Sequence, residues 1–108
     1  MNDRLTPAGE LPLPRIVGTL LAHGDELRRL GVVHLALFGS MAHRSTRPDS
    51  DVDILIDVSP ERPFSLFALG EVRSRLVDLL GRDVDLVVRD DLRPELRDDI
   101  AADLIPVF

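Results

Sequence analysis

Apolar residues recur along this chain in two rhythms, one helical and one strand-like. Between Arg15 and Leu30 they fall at Ile16, Val17, Leu20, Leu21, Leu27 and Leu30, a spacing that fits one face of a helix. Gly24 weakens the middle of that helix, and Gly31 is placed to cap its end. Val32 to Phe38 (VVHLALF) is a short apolar run and predicts a buried strand. Asp51 to Val58 (DVDILIDV) alternates and is rich in β-branched residues, which predicts a second strand. Ser59 to Pro63 reads as a connector. Phe64 to Leu80 returns to helical spacing through Phe67, Leu69, Val72, Leu76, Leu79 and Leu80, and Gly81 closes it. Asp83 to Val88 (DVDLVV) predicts a third strand, Pro94 to Leu104 an acidic helix, and Ile105 to Phe108 an apolar tail. Residues 41–50 keep no sustained period, and Arg47-Pro48-Asp49 carries turn chemistry. The first fourteen residues, rich in Pro and polar side chains, read as a loose leader, with Pro14 suited to a first helical turn. The expectation is a single α/β (α+β) domain over residues 15–108, a small mixed sheet of three or more strands flanked by helices.

Composition narrows the function classes. A chain of 108 residues is enough for one core and too short for two. With 44% hydrophobic and 30% charged residues it reads as a soluble globular domain, and with four Phe, no Trp and no Tyr its core must rest on Leu, Val and Ile. No window approaches the roughly 18 apolar residues of a membrane span, and the start lacks the build of a signal peptide. The absence of cysteine removes disulfides and thiolate metal sites. The default compartment is therefore the cytoplasm. A net charge of −6 argues against an extended interface with a nucleic-acid backbone. It does not argue against a nucleotide, because a divalent cation reverses the local charge at a carboxylate cluster. All thirteen basic residues are Arg, so a Walker-type phosphate loop, which needs a lysine, is excluded.

The second strand carries the first chemical signal. Side chains alternate along a strand, so Asp51, Asp53, Leu55 and Asp57 share one face, and Val52, Ile54, Ile56 and Val58 form a clean core face opposite. Two neighbouring carboxylates repel unless a cation sits between them, and oxygen ligands on a rigid element suit magnesium. An isolated Asp-x-Asp at a strand start is as readily a solvated strand end. Gly39-Ser40, directly after the first strand, supplies a second signal: glycine admits a ligand close to backbone amides, and the serine hydroxyl can bond a phosphate oxygen. Alone, Gly-Ser is also a common turn. The spacing joins the two, because the ten residues from Met41 to Ser50 allow a short helix and a return turn that brings the strand ends together.

At this point the stretch LFGSMAHRSTRPDSDVDILI, residues 37–56, resembles the polymerase-β-like nucleotidyltransferase superfamily, whose signature is Gly-Ser, about ten residues, then Asp-x-Asp. By ordinary residue frequencies that combination at one spacing arises by chance in roughly one chain in a thousand of this length. The resemblance implies a third carboxylate from a later strand in a Val-Asp-Leu-Val context, which matches Asp85 in GRDVDLVV and leaves Asp83 as a solvated strand end. It departs at His43 and Arg44, where family members often have Arg and Gly. Arg44 and Arg47 both stay open as the residue that grips the triphosphate. His43 reads as solvent-facing, and His34 and His23 as structural. Length, a leading helix and a terminal acidic helix look like the minimal nucleotidyltransferases, prokaryotic domains encoded beside a helical HEPN-type partner as antitoxin and toxin. The similarity covers roughly residues 15–108.

The resemblance implies transfer of a nucleoside monophosphate, AMP from ATP, to a hydroxyl of a HEPN-type toxin. Asp51, Asp53 and Asp85 would hold two Mg2+ ions, and Gly39, Ser40 and Arg44 or Arg47 would hold the triphosphate. The chain has no Tyr, so it cannot modify itself on that residue type. A polymerase is disfavoured by shortness and negative charge, and a drug-modifying enzyme by the lack of a second domain. Two other classes make different forecasts. A binding-only antitoxin neutralises its toxin without a mass change, and a purely structural domain binds no Mg-ATP.

Overall fold

A computed structural model describes residues 13–39, 51–61 and 63–108. The expected leader over residues 1–14 lies outside this range except for Leu13 and Pro14, which belong to the first helix. The elements run α1 (Leu13–Ala22), α2 (Gly24–Arg29), β1 (Val32–Phe38), β2 (Val52–Val58), α3 (Leu66–Leu80), β3 (Val84–Val88), a single 3₁₀ turn (Arg89–Asp91), α4 (Pro94–Ala101) and β4 (Ile105–Pro106). The four strands form one mixed sheet in the order β3-β2-β1-β4. β1 is antiparallel to both β2 and β4, whereas β2 and β3 are parallel and joined through α3.

Two expectations are corrected. The helix predicted over 15–30 is divided at His23, which stands between α1 and α2 rather than inside a helix. Its backbone N–H still reaches the Thr19 and Leu20 carbonyls, so helical hydrogen bonding runs up to the break. Gly24 is buried where a Cβ would lie 3.8 Å from the Phe108 ring and 3.2 Å from the Arg28 guanidinium, so the close approach of the tail accompanies the break. The apolar tail is the second correction. Ile105 and Pro106 pair with Leu37 and Ala36, and Val107 N–H and Phe108 C=O both bond to Leu35. The tail is thus a fourth strand, and its proline sits on an edge, where a missing N–H is tolerated.

The core lies on one face of the sheet. Ile16 and Leu20 of α1, Leu27 of α2, and Val72, Leu76 and Leu80 of α3 pack against Leu35, Leu37, Val52, Ile54, Ile56, Val84 and Val88. Register explains the choice: Leu35 faces Ile56 and Leu37 faces Ile54, so these pairs point to the same side. Val32 would fall on the opposite side from Leu35 in a regular strand, yet both are buried. The register shift between Val32 and His34 inserts one residue and restores Val32 to the core. At α3, the Ser65 hydroxyl accepts the Ala68 N–H at 3.1 Å, and Gly81 ends the helix in the left-handed region at φ 67°. The Arg75 guanidinium spans from α3 to the Glu26 carboxylate of α2, and α4 buries no residue at all.

Candidate active site

Because β1 runs against β2 and β3, its C-terminal end meets their N-terminal ends. Phe38 is the register partner of Asp53, and Asp53 is the register partner of Asp85. Residues directly opposite share a face, so Asp53 and Asp85 stand side by side on the side away from the helices, about 4.8 Å apart along the hydrogen-bonding direction. Two residues separated by thirty-one others in sequence become neighbours through the parallel pairing alone. Asp53 is half-buried and Asp85 exposed.

Asp51 is exposed and immediately precedes β2. The ladder continues up to it, since the Val52 N–H donates to the Asp83 carbonyl at 2.9 Å. The strand period therefore sets Asp51 on the Asp53 side, at the mouth of the same sheet end. Asp83 is exposed just before β3, in keeping with a solvated strand end.

Gly39 closes β1 with φ +66°, a conformation that L side chains rarely adopt. A Cβ built there would meet the Asp53 carboxylate, with Cγ only 3.0 Å away. Glycine is thus required twice at this position, by backbone conformation and by the carboxylate packed against it. Ser40, His43, Arg44 and Arg47 lie outside the described residues.

The donor set suits a hard divalent cation, since among the described residues the neighbouring groups are carboxylates, with no thiolate or imidazole between them. Among the described residues no three His, Asp or Glu side chains already close into a cation cage. Magnesium commonly takes only one or two protein carboxylates and draws its remaining oxygens from substrate phosphates and water. Asp53 with Asp85, approached by Asp51, fits a centre completed by its substrate.

The same face extends to a charged pair that the sequence reading did not single out. Arg89 Nε donates to Asp57 Oδ1 at 2.8 Å. Asp57 lies four residues from Asp53, roughly 13 Å along the strand, with Leu55 and Ala36 buried between. The signal is present in sequence only once β2 and β3 are known to pair as Ile56 with Val88, which sets Asp57 beside Arg89. His34, the register partner of Asp57, is exposed at this far end.

A sequence profile of the nucleotidyltransferase domain matches residues 23–107. Protein adenylyltransferase MntA of Thermococcus cleftensis is 39% identical over 98 residues, covering 90% of this chain and 97% of that protein. A solved structure described as a provisional minimal nucleotidyltransferase superposes with a TM-score of 0.68 at 33% identity, covering 83% of this chain and 94% of the other. A toxin–antitoxin crystal structure with AMP-PNP shares the fold at TM-score 0.67 and 22% identity, covering 82% of this chain and 72% of that one. The matched region contains Gly39, Asp51, Asp53 and Asp85, the residues that converge on one sheet end. The chain belongs to the nucleotidyltransferase domain family and is a nucleotidyltransferase.

Proposed function

We propose that this protein transfers AMP from Mg-ATP to a hydroxyl group of a HEPN-type toxin, and acts as its antitoxin by that modification. The observation that carries the reading is the register of Asp53 with Asp85 beside a glycine that has no room for a side chain. Support for the nucleotide and the acceptor comes from relatives: one is named a protein adenylyltransferase, and structures of the same fold are toxin–antitoxin complexes, one with AMP-PNP. No helix among the described residues is long and apolar enough to cross a membrane, and we place the protein in the cytoplasm with its toxin.

In the reaction an acceptor hydroxyl oxygen attacks the α-phosphorus, a new P–O bond forms, the bond to the β-phosphate oxygen breaks, and pyrophosphate leaves. Such chemistry rests on positioning and charge neutralisation. Asp51 and Asp53 would hold the magnesium that accompanies the triphosphate, and Asp85 would help hold a second ion at the acceptor. Bound there, magnesium supplies neutralisation of the charge on the transferring phosphoryl group and its leaving oxygen. The Asp85 carboxylate would lower the pKa of the acceptor hydroxyl or take the proton it releases. The Gly39 turn lets backbone amides approach the β- and γ-phosphates, with Ser40 and either Arg44 or Arg47 as side-chain donors.

The test is to incubate the protein with ATP, magnesium and the HEPN-type protein encoded beside it, then weigh that protein. The expected result is a gain of one or more AMP masses, abolished by Asp53→Ala. Undiminished transfer by that variant would overturn the assignment. Neutralisation of the toxin by an Asp51/Asp53 double variant, with no change in mass, would instead identify a binding-only antitoxin.

A further inference from the structure

The helices that cover the core face leave a groove between α2 and α3. One end is a pocket of about 110 Å³ lined by Leu30, Gly31, Pro63, Phe64 and Ala68 with Ser59. Leu30 also lines a wider, more open depression of about 300 Å³ formed with Glu26, Glu71, Ser74, Arg75 and Asp78. The two adjoin at Leu30, the first mainly apolar and the second mainly acidic. Beside the apolar end, Leu66 and Phe67 are 84% and 90% exposed, the largest exposures among the large hydrophobic residues described. Two adjacent unburied side chains of this size beside an apolar pocket mark a contact surface rather than scattered surface residues.

We propose that this groove holds the toxin partner by taking one of its helices, apolar along one face and basic along the next. Charge selects the occupant. The lining carries three carboxylates against one guanidinium, and Arg75 is already bonded to Glu26 through both Nε and Nη2. Glu71 and Asp78 thus give the depression net negative charge that a basic helix complements. A second copy would set the same acidic lining against itself, and an anionic lipid surface would be repelled in the same way. An apolar pocket adjoining an acidic depression matches a helix that anchors one apolar side chain and carries basic residues beyond it. This inference rests on the adenylyltransferase–toxin reading and adds to it a separation of surfaces. The groove belongs to the helical side of the sheet, and the carboxylates to the other, so a partner gripped here leaves the active site open.

The test uses the full chain and the neighbouring-gene HEPN protein, with affinity measured by calorimetry at two salt concentrations. Phe67→Ser is expected to weaken binding on the order of thirtyfold, the loss expected for a central aromatic contact. Glu71→Arg with Asp78→Arg is expected to weaken it further and to reduce its salt dependence, whereas Asp53→Ala binds like the wild type. Phe67, Glu71 and Asp78 are all exposed, so melting temperature should hold; if Phe67→Ser alters it, Leu66→Ser supplies the same comparison. Wild-type affinity in the groove variants would overturn the inference, as would tighter binding after charge reversal. Loss of a homodimer without loss of partner affinity would overturn it too. A wild-type chain that binds the partner yet adds no AMP sinks the functional reading and leaves this one standing. A wild-type chain that does not bind the partner at all sinks both.

Discussion

At the scale of single residues, the most constrained position is Gly39. Alanine there has to adopt φ +66°, which costs roughly 1 kcal/mol, and its methyl group must displace the Asp53 carboxylate. Gly39→Ala is therefore expected to lose AMP transfer far beyond its modest loss of stability, as labelled-ATP assays beside thermal melts would record. A variant that keeps full transfer would show that the carboxylate has room to move. The sequence marked Gly39, Asp51, Asp53 and Asp85 because each belongs to a short motif with its own chemistry. It did not mark Arg89 or Phe67. The role of Arg89 is defined by Asp57, a partner thirty-two residues back, and the exposure of Phe67 breaks an apolar helical pattern that sequence alone assigns to the core.

At the scale of elements, α2 and α3 are tied by the Arg75–Glu26 ion pair. The Arg75 guanidinium, with a smaller contribution from His23, holds the Glu26 carboxyl below its ordinary range. A lowered value in the folded state means that the pair stabilises the fold above the ordinary glutamate range and that this help is lost as pH falls through the lowered value. Glu26→Gln is thus expected to melt slightly below the wild type at neutral pH, with the gap closing in acid; a gap that widens on acidification would contradict the pairing. Elements with a long period were legible from sequence: α3 and the cores of β1, β2 and β3 lie where the pattern predicts. The break at His23 and the strand at Ile105–Pro106 were not. Both depend on a contact distant in sequence, the tail folding back onto Leu35 and Gly24, and two residues are too few to display an alternation.

At the scale of the whole molecule, the site is the meeting of three strand ends, so whatever it binds bridges parts of the chain far apart in sequence. Mg-ATP at about a hundred times its dissociation constant should stabilise the fold by about 2.7 kcal/mol, visible as a rise in melting temperature. Chelation of magnesium or Asp53→Ala should remove that rise; a chelator-resistant shift would speak against metal-assisted binding. The sheet also ends in a consequence for how the protein coexists with its own copies. Because Val52 donates to Asp83, the odd residues of β3 bond inward to β2, and the even ones turn their backbone groups toward the outer edge. An edge of that kind is a template on which another chain can grow as a strand. Arg73 reaches across from α3 and donates to the Val84 carbonyl at 2.9 Å, occupying the first outward acceptor with a charge that an incoming strand would have to expel. The side chain that steadies α3 against β3 thereby also guards the molecule against edge-to-edge aggregation.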